Sequence, residues 1–117
     1  MSDAKFASDI RKAAWGERIE GIVIGNMGWG DDCNAEGKPP YKHLIGKLIS
    51  WEEAKPILDY YYDTGYGAPD CQAIYAWTPT KVILVIQHDG ATSVVSVPRN
   101  PKAVIPEMFG GVNYANI

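Results

Sequence analysis

Hydrophobic and polar residues alternate most clearly between residues 71 and 98, and this pattern predicts three consecutive antiparallel strands. The dipeptide Asp89-Gly90 separates the second strand from the third. It favours a two-residue type I′ turn, because both of its residues accept a positive φ angle. Such a turn pairs His88 with Ala91 and so fixes the register of the hairpin.

The predicted register divides the side chains of this hairpin between two faces, because successive residues of a strand point to opposite sides. The more apolar face carries Val82, Leu84, Ile86, Ser93, Val95 and Val97. The more mixed face carries Ile83, Val85, Gln87, Thr92, Val94 and Ser96. We therefore predict that the first face points into the core and that another element covers part of the second.

Two helices are predicted before the hairpin. Apolar residues at helical spacing, among them Phe6 and Ile10, indicate a short amphipathic helix over residues 3–15, with Ser2 or Asp3 as its N-cap. Gly16 should end this helix.

The second predicted helix covers residues 51–60. It begins at a capping box, in which the side chains of Ser50 and Glu53 each accept a hydrogen bond from the other residue's backbone N–H. Pro56 lies inside this helix and removes one of its hydrogen bonds, so we expect the helix to bend or to end early.

The remaining segments complete the predicted fold. Residues 18–24 are predicted as a strand, residues 43–49 are compatible with a short strand, and residues 25–42 form a long loop rich in glycine and proline. Residues 99–117 show no strong periodicity, so we expect an irregular tail. The prediction is a single α+β domain, residues 1–117, with an antiparallel sheet of about four strands and two helices.

Charge and composition narrow the function. The chain has 117 residues and a net charge of −3, and no stretch is rich in Lys or Arg, so we do not expect direct binding to nucleic acid. No apolar run approaches the roughly 20 residues that a membrane-spanning helix needs. Cys33 and Cys71 are too few and too far apart for a disulfide framework. We therefore expect a cytoplasmic protein with reduced thiols and no membrane contact.

The long loop matches parts of two ligand-binding patterns, and both are incomplete. Its glycines follow a strand as in a phosphate-binding loop, but Asp31 and Asp32 come next and would repel a phosphate. Residues 32–37 match the start of a calcium-binding loop, yet His43 occupies the position that requires a bidentate glutamate. We therefore predict neither a metal ion nor a cofactor.

A zinc site or a Cys–His catalytic pair would have to be built from four residues. These are Cys33, His43, Cys71 and His88. Structural zinc sites take their ligands in close sequence pairs, whereas these four residues are scattered. Nothing in their spacing brings a thiol and an imidazole together for nucleophilic catalysis. The sequence therefore predicts no catalytic residue and leaves the roles of these four open.

Residues 50–71, which we call the acidic segment, have the most unusual composition in the chain. They contain five carboxylates and one lysine, a balance of −4, so they hold the whole net negative charge. They also contain five of the eleven Trp and Tyr residues, types that are enriched at protein interfaces. The alternative is that these rings only fill the core. Tyr60, Tyr61 and Tyr62 cannot all point inward from one strand, so at least one of them should be exposed.

We predict a binding surface in the acidic segment and a second candidate in the long loop. The predicted binding surface consists of Glu52, Asp59, Tyr60, Tyr61, Tyr62, Asp63, Tyr66 and Asp70. The loop candidate consists of Trp29, Asp31 and Asp32. An acidic surface speeds the encounter with a basic partner and fixes the register of the complex.

Three blocks of sequence resemble those of small, uncharacterised proteins of phages and mobile elements. These blocks are residues 50–54 (SWEEA), 65–71 (GYGAPDC) and 97–101 (VPRNP). The resemblance implies an accessory protein that binds a host factor in the host cytoplasm, as anti-CRISPR and other anti-defence proteins do. It supplies no residue with an assigned role.

Two functions of different kinds remain open. The first is a non-enzymatic interaction protein, an inhibitor that occupies a basic surface on a host protein or a nucleic-acid-binding complex. The second is a small-ligand-binding protein or small enzyme with a pocket between residues 25–42 and the sheet. Aromatic rings that point outward from a convex face favour the first, and rings that converge on a concave pocket favour the second. A monomer and a homodimer both fit the sequence.

Overall fold

The computed structural model describes residues 3–27, 38–65, 70–88, 91–101, 103–106 and 108, which form an α+β fold. Its elements are β1 (Asp3–Lys5), α1 (Phe6–Ala13), β2 (Gly21–Met27), a 3₁₀ turn (Lys42–Leu44), β3 (Leu48–Ile49), α2 (Trp51–Leu58), β4 (Tyr61–Asp63), β5 (Gln72–Trp77), β6 (Lys81–His88) and β7 (Ala91–Pro98). The predicted α+β class is confirmed. Neither α-helix in these residues is long and apolar enough to cross a membrane.

The main sheet has five antiparallel strands in the order β3-β2-β5-β6-β7. The predicted count of about four strands is therefore too low. The additional strand is β3, which has only two residues, and the 3₁₀ turn occupies the start of the segment that was compatible with a strand. Two residues give almost no alternation, so a strand of this length leaves little trace in the sequence.

A second, two-stranded sheet joins β1 to β4, with Lys5 paired to Tyr61. This pairing shortens the first helix, which begins at Phe6 rather than within residues 3–5. The predicted N-cap at Asp3 is therefore wrong, and Ser2 lies outside the described residues. No side chain caps α1, and the Phe6 N–H donates instead to the Tyr60 carbonyl at 2.9 Å.

The predicted start of the second helix is confirmed. Ser50 is the N-cap of α2, and its hydroxyl accepts a hydrogen bond from the Glu53 N–H at 3.1 Å. The helix contains Pro56 and ends at Leu58, two residues earlier than predicted. The early end agrees with the hydrogen bond that proline removes.

The hairpin of β6 and β7 has the predicted register. His88 pairs with Ala91, and the pairing continues without a bulge to Lys81 and Pro98. The two turn residues between the strands lie outside the described residues. Register was predictable because the short spacing between two alternating runs leaves few ways to pair them.

The face of the hairpin that points to the core is the opposite of the one predicted. The core face of the sheet carries Ile22, Ile24, Ile74, Ala76 and Ile83, none more than 3% exposed. The predicted core residues Val82, Leu84, Ile86, Ser93, Val95 and Val97 lie on the other face, and none of them is buried. Helix α1 packs against β7 and α2 packs against β2 on the core side. Which face of the sheet the helices cover depends on the whole fold, so the periodicity of one hairpin does not show which of its faces is buried.

The turn between β5 and β6 is held by Glu17. Its carboxylate accepts hydrogen bonds from the hydroxyls of Thr78 and Thr80, both at 2.6 Å, and lies 3.6 Å from the Lys81 ammonium. These hydrogen bonds from the two threonines lower the Glu17 pKa to about 2. A carboxylate distant in sequence therefore fixes a turn whose register the sequence left open.

Candidate functional site

The three consecutive tyrosines of the predicted binding surface alternate between core and solvent. Tyr60 and Tyr62 are buried, whereas Tyr61 is 67% exposed. Tyr61 and Tyr62 belong to β4, and side chains alternate along a strand. The expectation that at least one of the three is exposed is confirmed, and Tyr61 alone of them is available to a partner.

Tyr60 and Tyr62 pack around Phe6, with ring centroids 5.8 and 5.0 Å from the Phe6 centroid. The Tyr62 hydroxyl donates a hydrogen bond to the Asp9 carboxylate at 2.7 Å, and the Tyr60 hydroxyl donates to the Gln72 side-chain carbonyl. Burial raises the pKa of both hydroxyls, and the bond to Asp9 raises the pKa of Tyr62 further. Both tyrosines therefore stabilise the core instead of offering a surface.

Three of the four carboxylates of the predicted surface, Asp59, Asp63 and Asp70, have partners within the chain, and the fourth lies at a helix terminus. Asp59 lies 3.4 Å from the Lys5 ammonium, and Asp63 accepts a hydrogen bond from the Gly65 N–H at 2.8 Å. Glu52 is exposed in the first turn of α2, where the helix dipole favours negative charge. Part of the negative charge in the acidic segment therefore serves the fold.

Asp70 lies in a partly buried polar cluster. The Lys38 ammonium is 2.9 Å from the Asp70 carboxylate and 4.9 Å from the Tyr60 ring centroid. The Lys38 side chain is only 10% exposed, so this ion pair is more shielded from water than the pair of Lys5 and Asp59. The Gln72 amide nitrogen is buried there with no partner among the described residues. The cluster brings Asp70 and Tyr60 together, but in a packed arrangement.

Four predicted site residues lie outside the described residues. They are Tyr66 in the acidic segment and Trp29, Asp31 and Asp32 in the long loop. The predicted pocket between residues 25–42 and the sheet depends on the same loop. Trp29 therefore cannot be used to discriminate between the two predicted functions. The choice between them depends on where Tyr60, Tyr61 and Tyr62 point.

Cys71 is the one cysteine among the described residues, and it is buried. Burial, followed by the nearby Asp70 carboxylate, raises the pKa of its thiol to about 12, so the thiol is protonated at neutral pH and a poor nucleophile. His43 is exposed on the 3₁₀ turn, while Cys33 and the His88 side chain lie outside the described part of the chain. In that part, no group of three or more His, Cys, Asp and Glu is placed to hold a metal ion.

The most prominent surface is the face of the main sheet that no described helix covers. We call its apolar part the open face, and this part consists of Val23, Leu48, Tyr75, Trp77, Val82, Leu84, Ile86, Val95 and Val97, with the exposed Ser93 beside it on the same side of β7. None of these side chains is buried, and Tyr75 and Leu48 are 59% and 70% exposed. The open face is therefore an apolar and aromatic surface in contact with water.

Strand register aligns the open face into rows. One row crosses all five strands through Leu48, Val23, Tyr75, Leu84 and Val95, each paired with the next. A second row crosses three strands through Trp77, Val82 and Val97. Directly paired residues of antiparallel strands have Cβ atoms about 4.5–5.5 Å apart, so each row is a continuous line of side chains.

Tyr75 lies near the middle of this surface, because β5 is the central strand of the sheet. Its ring centroid is 6.5 Å from that of Trp77 in an edge-on arrangement. Leu48 lies over Gly21, where a Cβ atom would come within 3.0 Å of the Leu48 Cδ1 atom. Glycine at position 21 thus lets the leucine side chain extend the open face over β2.

Charge is absent from the open face itself. Glu20 and Arg99 lie beside Trp77 at one end, and they form an ion pair with each other at 2.7 Å. Lys81 belongs to β6 but contacts Glu17 at 3.6 Å. Lys81 and Arg99 are therefore each paired with a carboxylate of the chain.

Two grooves lie beside the edge strand β7. The larger, of about 690 Å³, is lined by residues 80–81, 96–101 and 104–106, and the smaller, of about 380 Å³, lies between α1 and β7. The cationic groups of the larger groove, Lys81 and Arg99, are paired with Glu17 and Glu20. These two cations are therefore not free to fix a small molecule in the larger groove.

Sequence reasoning assigned the hairpin residues of the open face to the core and did not single out Tyr75 and Trp77. A signal was present, because both faces of the hairpin are rich in apolar residues and one core needs only one of them.

No protein-family model, no curated protein and no solved structure matches this chain.

Proposed function

We propose that this chain is a non-catalytic interaction protein that binds another protein through the open face. The observation that carries the proposal is that the more apolar face of the hairpin is the one that no described helix covers. Neither of the described α-helices packs on this surface. A contiguous apolar patch on a water-soluble chain is typical of a protein–protein interface.

The size of the open face fits this role. With strands about 4.8 Å apart and residues about 3.4 Å apart along each strand, it covers roughly 400 Å² before the relief of the side chains is counted. Patches of about 300–600 Å² on monomers are often functional. Tyr75 and Trp77 are of the types that contribute most of the binding energy at interfaces, and aliphatic residues surround them.

The chemistry of the open face favours contact over catalysis. Aliphatic and aromatic side chains supply area and shape, and the tyrosine hydroxyl and the tryptophan N–H are the polar groups that its nine residues offer. No residue of the open face is a carboxylate, a thiol, an imidazole or an amine. A general acid–base pair or a nucleophile would have to come from the partner.

A matched pair of tyrosine variants tests the proposal. Tyr75→Lys places a charge in the middle of the open face, whereas Tyr61→Lys places the same charge at a slightly more exposed tyrosine in the acidic segment. Each variant and the wild type would be immobilised, and the proteins captured from a bacterial lysate that also contains a differently tagged copy of the wild-type chain would be identified by mass spectrometry. We expect a partner that binds the wild type and Tyr61→Lys but not Tyr75→Lys. Capture that survives Tyr75→Lys and disappears with Tyr61→Lys would contradict the proposal.

The acidic segment is a second candidate surface, favoured by one observation. Tyr61 is 67% exposed between Asp59 and Asp63, which is the combination of ring and charge expected for contact with a basic host protein. This candidate agrees with the resemblance to accessory proteins of phages. Binding through it should weaken as salt rises, because the charges involved are exposed. Binding through the open face should depend little on salt.

A further inference from the structure

We infer that the occupant of the open face is a second copy of this chain, so that two main sheets pack face to face in a symmetric dimer. This inference rests on the proposed function, because it names the partner of the same surface. Three properties of the open face lead to a second copy: its lack of charge, its position relative to the acidic segment, and the arrangement of its central row.

Lack of charge makes the open face complementary to itself. A surface with a net charge repels its own copy, and like charges brought together across an interface cost several kcal/mol. The nine residues of the open face carry no charge, and at its end the Glu20 carboxylate is shared between Arg99 at 2.7 Å and the exposed Arg18 at 3.9 Å. Depletion of charged residues and a high apolar fraction are typical of homodimer interfaces.

The acidic segment lies where it does not oppose this dimer. Helix α2 packs against β2 on the core side of the sheet, so Glu52 and Glu53 lie on the side opposite the open face. Two copies that met through the acidic segment would bring their net negative charges together. Two copies that meet through the open face keep these segments apart, on the two outer sides of the dimer.

The central row is suited to a two-fold axis. In a symmetric dimer each copy presents the same patch, and residues near the axis meet their own counterparts. With the axis along β5, Tyr75 faces Tyr75 of the second copy, and Leu84 faces Val23 of the second copy. Large residues then oppose smaller ones on either side of the axis, which allows side chains to interdigitate between sheets about 10 Å apart.

The area of the open face sets the expected strength. Two faces of roughly 400 Å² each give a total of about 800 Å² before the relief of their side chains is counted, which is below the about 1,200–2,000 Å² of standard specific complexes and in the range of weak, transient ones. We therefore expect a reversible dimer with a dissociation constant in the micromolar range, not a permanent one. Its mass should change with protein concentration.

Sedimentation equilibrium across about 1 μM to 1 mM protein tests this inference directly. We expect the wild type and Tyr61→Lys to pass from the mass of one chain to the mass of two. Tyr75→Lys should stay monomeric, with a dissociation constant raised at least about 100-fold, because two lysines meet at the axis. Leu48→Lys, at the exposed end of the same row, provides a second variant should Tyr75→Lys fail to fold, and it should also weaken the dimer.

Several results would overturn the inference. A wild type that stays monomeric at every concentration excludes the second copy, whether the open face is then covered by other residues of the chain or by an unrelated protein. A dimer that Tyr75→Lys and Leu48→Lys leave intact places the contact on another surface. The proposed function is judged by a separate result. If the wild type is monomeric and the Tyr75→Lys variant no longer captures a partner that the wild type captures, the open face is still the binding site.

Discussion

Tyr75 and Tyr61 are both exposed tyrosines on strands, yet they lie in two different kinds of surface. Tyr75 lies on the central strand among aliphatic neighbours, with no charge in its row. Tyr61 lies on a three-residue strand, between two carboxylates, with the Lys5 ammonium 5.2 Å from its ring centroid. The environment of Tyr75 is apolar like that of a core residue, but it is exposed to solvent. The environment of Tyr61 is charged and solvated, as is usual at the edge of a sheet.

This difference shows what a sequence rich in tyrosine and acid does and does not indicate. The acidic segment has the composition of an interface, but Tyr60 and Tyr62 are in the core, and Asp59 and Asp70 are paired with lysines. The open face has an ordinary strand composition, and its importance follows from the absence of a covering helix among the described residues. Position relative to the core therefore tells more about contact than composition does.

The largest expected effect is in the acidic segment and concerns stability. Tyr62→Ala removes a buried ring that packs on Phe6 and a hydrogen bond to Asp9, so we expect it to lower the free energy of unfolding by about 3–5 kcal/mol. Tyr61→Ala, at the neighbouring exposed position, should change it by less than about 0.5 kcal/mol. Urea titration followed by circular dichroism measures both. Equal losses would show that the alternation of the tyrosines is wrong.

A smaller effect separates the two ion pairs of the acidic segment. Asp70→Asn leaves the largely buried Lys38 ammonium without its carboxylate, and we expect it to cost about 1–2 kcal/mol, below the value for a fully buried pair. Asp59→Asn is the matched control, because its pair with Lys5 is more exposed and should be worth less than about 0.5 kcal/mol. The same urea titration decides between them. A cost for Asp59→Asn as large as that for Asp70→Asn would contradict the assignment.

Substitutions at Tyr75 and Tyr61 should have still smaller effects on the monomer. Both side chains are more than half exposed, so Tyr75→Lys and Tyr61→Lys should each change the free energy of unfolding by less than about 1 kcal/mol. The measurement belongs at low protein concentration, where a dimer adds no stability. A loss of several kcal/mol for Tyr75→Lys would mean that Tyr75 belongs to a core and not to an interface.

The last expected effect depends on pH and concerns a carboxylate outside both regions. Glu17 has a pKa of about 2 in the folded protein against an ordinary value of 4.5, so its stabilising contribution is full above about pH 4.5 and disappears as pH falls towards 2. Glu17→Gln should therefore lower the melting temperature at neutral pH, and the gap from the wild type should close near pH 2. Thermal melts at several pH values test this. A gap that is constant with pH would contradict the hydrogen bonds from Thr78 and Thr80.

Local features of the fold could be predicted from the sequence because each depends on neighbouring residues. The N-cap at Ser50, the hairpin register through His88 and Ala91, and the α+β class all follow from short-range patterns. The pairing of β1 with β4 could not, because it joins segments nearly 60 residues apart, and each strand has only three residues.

The candidate site was harder to predict than the fold. Register placed Leu84, Val82 and Val95 together on one face, but which face is covered depends on where α1 and α2 pack. Both faces of the hairpin are apolar, so hydrophobicity alone favoured the wrong one. Tyr75 and Trp77 join the open face only through the pairing of β5 with β6, whose connecting turn is held by the distant Glu17.

Hydroxyl-radical footprinting at rising protein concentration tests most directly the claim that the open face, and not the acidic segment, is the contact surface. Oxidation of Tyr75, Trp77 and Tyr61 is read by mass spectrometry in the same sample, so Tyr61 is an internal control. We predict that Tyr75 and Trp77 become protected as concentration rises, while the oxidation of Tyr61 stays constant. Protection of Tyr61 with unchanged oxidation of Tyr75 would contradict this account and return the contact to the acidic segment.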